Sequence, residues 1–392
     1  MRSFLALALV PLALAAPAKR AEPAPLLVPR DNGDNLIEGQ YIVKLYDEAE
    51  MSALDTTLSA MHAKAKHSWT TKGFKGFAAA LDAEELATLQ NHAHVEFIEQ
   101  DARVSISAYT TQTGATWGIS RISHEDSQST YVYDSSAGEG TCAYIIDTGI
   151  YTAHSDFDGR ATWLANYADN DDSDGNGHGT HVAGTVGSTT YGVAKQTSLY
   201  AVKVLDASGS GTNSGVISGM NFVTDDAATR SCPNGAVANM SLGGGKTTAV
   251  NRAATNMVAA GVFLAVAAGN DGDDASSYSP ASAADACTVG ATTSADRFAS
   301  YSNTGSLVDI LAPGTSVTSL WIDSKTDTNT ISGTSMATPH ITGLGAYLLT
   351  LEGAMDPVEL CQYIQSIATE DAITNVPSDT VNLLAFNGNP SG

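Results

Sequence analysis

From about residue 110 onward, short continuous apolar runs alternate with longer stretches of helical character, and this alternation leaves few architectures open. The runs Ala143 to Ile146, Tyr200 to Leu205, Ala236 to Leu242 and Val262 to Ala267 lack the polar–apolar alternation of a half-exposed strand, so they read as strands buried on both faces. The stretches His178 to Val186, Ser214 to Val223, Thr247 to Ala260, Ser335 to Leu351 and Pro357 to Ile367 read as helices. The order predicts an α/β fold, a parallel sheet with helices on both faces. Ligands in such sheets gather beyond the carboxyl ends of the strands. Residues with chemistry are therefore expected just after the apolar runs.

The N-terminal part has a different texture. Met1 to Ala15 carries Arg2, the apolar run Phe4 to Leu14 and the small-x-small word Ala13-Leu14-Ala15, the pattern of a signal peptide. The run is too short to span a bilayer, so export to the extracellular medium without a membrane anchor is expected. Residues 16–38 are Pro-rich and charged and read as a linker. Residues 39–106 then alternate strand, helix, strand, helix, strand: Gln40 to Leu45, Glu50 to Lys64, Phe74 to Leu81, Ala83 to Asn91 and Val95 to Ile98. That order predicts a small α+β domain, ferredoxin-like in type.

Aspartate and glutamate number 42 against 19 lysines and arginines, a formal charge of −23. Such a surface repels nucleic acid and anionic membranes, so neither is expected as a partner. Export would place Cys142, Cys232, Cys287 and Cys361 in an oxidising compartment, where an even count favours two disulfides; the count alone leaves three pairings open. Asn239-Met240-Ser241 matches a glycosylation sequon but falls in a run read as a buried strand.

Three words carry the chemistry. Tyr144-Ile145-Ile146-Asp147-Thr148-Gly149 ends an apolar run on a carboxylate, Asp174-Gly175-Asn176-Gly177-His178-Gly179-Thr180-His181 puts a histidine at the mouth of a helix, and Ser332-Gly333-Thr334-Ser335-Met336-Ala337 opens a long apolar helix with a serine. Each has an ordinary alternative: a turn-capping Asp, a structural His, a helix-capping Ser. Together they hold the parts of an activated hydroxyl. His178 would take the proton of Ser335, and Asp147 would fix the imidazole tautomer. A fourth word, Ala265-Val266-Ala267-Ala268-Gly269-Asn270, ends another buried run on an amide. Asn270 and the Ser335 backbone N–H would stabilise an oxyanion. His181 points along its own helix and is read as structural.

These four words, in this order, resemble the subtilisin-like serine proteases, specifically the proteinase K branch, from about Thr110 to the C-terminus. The resemblance implies a secreted serine endopeptidase with Asp147, His178, Ser335 and Asn270 as its catalytic set. It also implies that a peptide is held between Gly209-Ser210-Gly211 and Ser241-Leu242-Gly243, and that Ala267-Ala268-Gly269 lines a neutral S1 pocket preferring large apolar or aromatic P1 residues. Ser208 to Gly211 would act as a strand opposing Asn239 to Gly244. The N-terminal domain is similar to an inhibitor-type propeptide, making residues 16–109 a pro-segment cut between Tyr109 and Thr110, with residues 110–392 as the peptidase. The resemblance pairs Cys142 with Cys232 and Cys287 with Cys361. It places a structural Ca²⁺ on Asp309 with the carbonyls of Ala284 and Ala286, and implies a monomer whose partners are peptide substrates and its own propeptide. Competing readings are a processing protease that cuts after basic pairs, a vacuolar relative, and a non-catalytic binding protein that keeps the fold.

Overall fold

The structure, a computed structural model, describes residues 22–28, 36–49, 56–102, 109–126 and 128–391. The expected signal peptide, most of the linker and the start of the helix expected from Glu50 lie outside the described residues. The chain divides into two compact units, Met1–Ser105 and Ile106–Gly392.

The first unit is a five-stranded sheet in the order Leu26–Leu27, Val95–Ala102, Leu36–Leu45, Phe74–Ala80, His67–Thr71, with helices Thr56–Ala63 and Ala83–Gln90. Val43, Leu45, Leu58, Phe77, Leu89, Val95 and Ile98 form its core. Two details differ from the sequence expectation. A strand at His67–Thr71 pairs antiparallel with Phe74–Ala80, completing the βαββαβ order of a ferredoxin-like fold; all its residues but Trp69 are polar and exposed, so no apolar run announces it. Leu26–Leu27, expected in the linker, joins the sheet edge parallel to Ile98 and Glu99, anchored by Ala24 N–H donating to Gln90 O at 2.6 Å.

The second unit is built on a mostly parallel sheet. The strands along its main path are β1 (Cys142–Asp147), β2 (Ala161–Asn166), β3 (Ser198–Lys203), β4 (Ala236–Met240), β5 (Val262–Ala267), β6 (Cys287–Thr293), β7 (Ile310–Pro313), β8 (Thr369–Glu370) and β9 (Leu383–Leu384), with the short strand Arg297–Phe298 paired to β6 off that path. They run in the order β8-β9-β7-β6-β5-β4-β1-β3-β2. The helices that concern the site are α1 (His178–Gly187), α2 (Asn213–Ala227), α3 (Thr248–Ala259), α4 (Thr334–Glu352) and α5 (Pro357–Ser366). Alternate residues of β1 face opposite sides, as the pleat requires. Ala143 and Ile145 pack with Val182 and Val186 of α1 and Ile341 and Leu344 of α4. Tyr144 and Ile146 pack with Val216 and Met220 of α2 and Ala254 and Met257 of α3. The sheet is thus covered on both faces, which is why its central strands β1, β4 and β5 carry apolar residues on both sides.

The cysteines bond as Cys142–Cys232 and Cys287–Cys361. Among the described residues no helix is long and apolar enough to cross a membrane.

Candidate active site

The sheet winds outward from β1 to β2, returns through β3 beside β1, and crosses to β4 on the other side. Winding therefore reverses at β1, the position where α/β sheets open a crevice at their carboxyl edge. Asp147 is the last residue of β1 and is fully buried. Its Oδ1 lies 2.7 Å from His178 Nδ1 and accepts the Thr148 N–H at 2.7 Å. Accepting from Nδ1 fixes the tautomer of the neutral ring and leaves Nε2 as the basic nitrogen. Burial pulls the His178 pKa down, but the charge and hydrogen bond of Asp147, with the charge of Asp174, more than offset it and hold the pKa above its usual value. About a quarter of the His178 side chain is exposed.

His178 is the first residue of α1, whose opening N–H groups have no intrahelical partners. Each finds a side chain. Asp174 Oδ1 accepts from Gly177 at 2.8 Å, Asn176 Oδ1 from His178 at 3.2 Å, Thr148 Oγ1 from Gly179 at 2.9 Å, and Asp174 Oδ2 from Thr180 at 2.9 Å. The close approach requires glycine at 179, where a Cβ would sit 2.1 Å from the Gly149 carbonyl oxygen.

Ser335 is the second residue of α4. Pro339, inside this helix, has no N–H to give to the carbonyl four residues back, which is that of Ser335. Ser241 Oγ donates to this carbonyl instead, at 2.8 Å, while Ser335 Oγ donates to the Ser241 carbonyl at 3.1 Å. The hydroxyl is thus bonded to Ser241 rather than to His178. Ser241 lines the same cleft as His178 and Thr148.

Thr334 sets the amide. Its N–H and its Oγ1 both donate to Asn270 Oδ1, at 2.8 and 3.0 Å. Because a backbone N–H can only donate, the Asn270 oxygen must face it, which leaves Nδ2 turned away, with no acceptor among the described residues. A methyl placed on Gly333 would meet Asn270 Nδ2, Asn270 Oδ1 and Ser335 N, each at 3.6 Å, so the Asn270 amide and the Ser335 N–H border one small space.

The adjoining cavity, about 380 Å³, is lined by Leu242, Gly243, Ala267, Ala268, Gly269, Asn270 and Ser335. The expected substrate residues are therefore brought together with Ser335. Asp271, an exposed carboxylate, also borders this cavity. Gly209, Ser210 and Gly211 line the neighbouring cleft with His178 and Asn213. They are not the strand expected there: Asp206 gathers the segment into an exposed turn, its N–H donating to Ser210 O at 2.8 Å and its Oδ1 accepting from Ser208 N at 2.8 Å.

Other expected residues lie elsewhere. Asp309 Oδ2 accepts the Thr288 N–H at 2.8 Å, and burial pushes its pKa up to about 6. Ala286, one residue before β6, is buried and Ala284 is exposed. Tyr109 and Thr110 lie in a strand, Tyr109–Thr113, paired antiparallel with Thr130–Asp134. Tyr109 feels the charge of Glu352, the last residue of α4, about 26 Å along the helix from Ser335 at 1.5 Å per residue. His181 is fully buried; its Nε2 lies 3.1 Å from Val317 O, and burial lowers its pKa to about 4, in keeping with a structural role. Asn239 is fully buried, which keeps its sequon from solvent.

A Subtilase family (peptidase S8) profile matches residues 138–383. The chain belongs to the subtilase family. A Peptidase inhibitor I9 profile matches residues 40–107 of this subtilase. It is 57% identical over 394 residues to the subtilisin-like serine protease AsES of Sarocladium strictum, covering all of both chains. Proteinase T of Parengyodontium album is 62% identical over 298 residues, covering 76% of this chain and all of that one. The cuticle-degrading protease of Metarhizium anisopliae is 55% identical, covering 97% and 98%. Among solved structures, a cold adapted subtilisin-like serine proteinase matches with a TM-score of 0.66 at 43% identity, covering 70% of this chain and 99% of that one. This subtilase is accordingly a serine protease of the proteinase K-like group, with an inhibitor-type domain ahead of its protease domain.

Four contributions to the site are absent from the sequence expectation: the Asp174 and Thr148 clamp on α1, the Thr334 lock on Asn270, the reciprocal Ser241–Ser335 pair, and Asp271. Pro339, four residues after Ser335, is a sequence signal for the third.

Proposed function

We propose that this subtilase is a secreted endopeptidase in which Ser335 attacks the scissile carbonyl, His178 takes and returns the proton, and Asp147 orients and stabilises the imidazolium. Asn270 Nδ2 and the Ser335 N–H bind the oxyanion. The observation that carries the reading is the 2.7 Å contact of buried Asp147 with His178 Nδ1, in a cleft that Ser241 shares between His178 and Ser335. In the proposed cycle Ser335 Oγ leaves the Ser241 carbonyl and turns to His178 Nε2 as substrate enters. Apo hydrogen bonds in such sites commonly tighten only in the complex.

Broad specificity follows from backbone pairing of the peptide with residues 209–211 and 241–243, which ignores side-chain identity. For P1, two effects compete. Burying an aromatic side chain beside Ala267 and Ala268 is worth about 2–3 kcal/mol, whereas an exposed carboxylate such as Asp271 adds about 1 kcal/mol or less for a basic P1. The aromatic residue wins. Hydrolysis of matched chromogenic peptides should favour Phe over Arg at P1 by roughly tenfold or more in kcat/KM; equal rates would reject this pocket assignment.

Asp309 is suited to a structural Ca²⁺. Among the described residues it has no ion-pair partner, burial disfavours its charge, and the two nearby sulfurs are tied up in the Cys287–Cys361 disulfide, so only hard oxygen donors are on offer. With the Ala284 and Ala286 carbonyls it would hold the ion and stiffen the ends of β6 and β7. Chelation should lower the melting temperature by about 5 °C or more, and should do nothing to Asp309→Asn. An unchanged wild-type transition would remove the site.

The inhibitor-type domain would act on its own protease as an intramolecular inhibitor, released by cleavage between Tyr109 and Thr110. That bond sits at the far end of α4 from Ser335, so it would be cut before residues 110–113 pair with 130–133, or by a second molecule.

A further inference from the structure

Asp174 makes more contacts than a helix cap needs. It is 7% exposed, and its two oxygens accept five hydrogen bonds. Oδ1 takes the N–H groups of Asn176 and Gly177 and the Thr148 hydroxyl, at 3.1, 2.8 and 2.8 Å. Oδ2 takes the N–H and the hydroxyl of Thr180, at 2.9 and 2.5 Å. Thr148 is the residue after Asp147, and it binds in both directions: its N–H donates to Asp147 Oδ1, its hydroxyl donates to Asp174, and the same oxygen accepts from Gly179. One carboxylate therefore joins the strand end that carries Asp147 to the helix start that carries His178.

We propose that Asp174 is a positioning residue of the hydrolysis: it fixes His178 against Asp147 through Thr148, and it presents a second negative charge to the imidazolium that forms when His178 accepts the serine proton. The inference rests on the role proposed above for His178.

Among the described residues, few charged groups surround the imidazole. Asp147 faces it from β1, and Asp174 from the preceding loop. On its own helix His181 is neutral, its pKa near 4. Lys203 ends β3 opposite Asp147; its Nζ donates to the Thr148 and Leu205 carbonyls, at 3.0 and 2.6 Å, and its charge is paired with Asp169 Oδ2 at 3.5 Å. Asp174 is thus the second anion available to His178. The sign follows. His178 must be neutral to act as a base, so the acid limb of kcat/KM reports its pKa in the free enzyme. Removing the Asp174 charge destabilises the imidazolium and moves that limb to lower pH. A helix cap alone would change stability and leave the limb where it is.

The test compares Asp174→Asn, Thr148→Val and His178→Ala in the full chain, with pH profiles on one peptide substrate. Asp174→Asn should lower kcat roughly tenfold through misplacement of the base, with KM within about twofold and the acid limb displaced to lower pH. An unmoved limb overturns the electrostatic half of the proposal. Thr148→Val keeps the charge and breaks the link, so kcat should fall severalfold with the limb unmoved; wild-type kcat overturns the positioning half, even if the Asp174 variant does not fold. His178→Ala separates the levels: residual activity at wild-type rates there would reject the role of His178 itself, not the contribution of Asp174.

Discussion

Ser335→Ala should abolish turnover while leaving a folded protein. In the subtilisin series, loss of the corresponding serine lowers kcat by about 2 × 10⁶, and removing more of the triad costs little further; the same scale is expected here. The fold should survive because the substitution removes one hydrogen bond, the 3.1 Å contact to the Ser241 carbonyl, worth about 1 kcal/mol. Alanine suits an early helix position, and Ser241 Oγ can still donate to the carbonyl of residue 335. KM should change little, because the cavity walls at residues 242–244 and 267–269 are untouched. The chain should also remain unprocessed between Tyr109 and Thr110. Combining Ser335→Ala with His178→Ala should add almost nothing to either alone, since the proton transfer has meaning only when both groups are present. Steady-state kinetics with a thermal melt of the same preparation measure both parts of the expectation.

Asn270→Ala should cost about 10²–10³ in kcat with KM nearly unchanged, the loss that removal of one oxyanion donor produces in subtilisin. The signature is diagnostic because the donor acts on charge that exists only in the transition state. The side chain reaches this geometry through Thr334, whose N–H and hydroxyl both occupy Oδ1, so the donor is preorganised before substrate arrives. A variant whose KM rose as kcat held steady would place Asn270 in ground-state binding instead. Kinetics on a single good peptide substrate distinguish the two.

The placement of the four residues proposed as catalytic was legible in the sequence because each lies at or near the end of an element with a clear local pattern. Asp147 ends the apolar strand β1, Asn270 follows the apolar strand β5 by three residues, and His178 and Ser335 are the first and second residues of their helices. Strand β5 lies over Val262–Ala267 as expected, since six consecutive apolar residues allow little else. Strands β6 and β7 were not expected: Cys287–Thr293 contains glycine and three threonines, and Ile310–Pro313 ends in proline. Neighbouring strands select them, not intrinsic preference. The exposed strand Tyr109–Thr113 is likewise defined by pairing with Thr130–Asp134. Within the site, the missed contributions include side-chain hydrogen bonds across 26 to 94 residues, such as Thr148 Oγ1 to the Asp174 carboxylate and Ser241 Oγ to the Ser335 carbonyl. No local periodicity reports such bonds. Asp271 was missed for a simpler reason: its neighbour in the acidic run 271–274 gives no sign of which carboxylate borders the cavity.

The central claim is that Ser335 is the one hydroxyl made nucleophilic by His178. The most direct measurement is labelling with a serine-directed organophosphate, followed by peptide mapping by mass spectrometry. One equivalent of phosphorus on Ser335, with activity lost in step and no labelling of His178→Ala, is the result expected. Label on another residue, or full activity in a protein labelled at Ser335, would contradict the account.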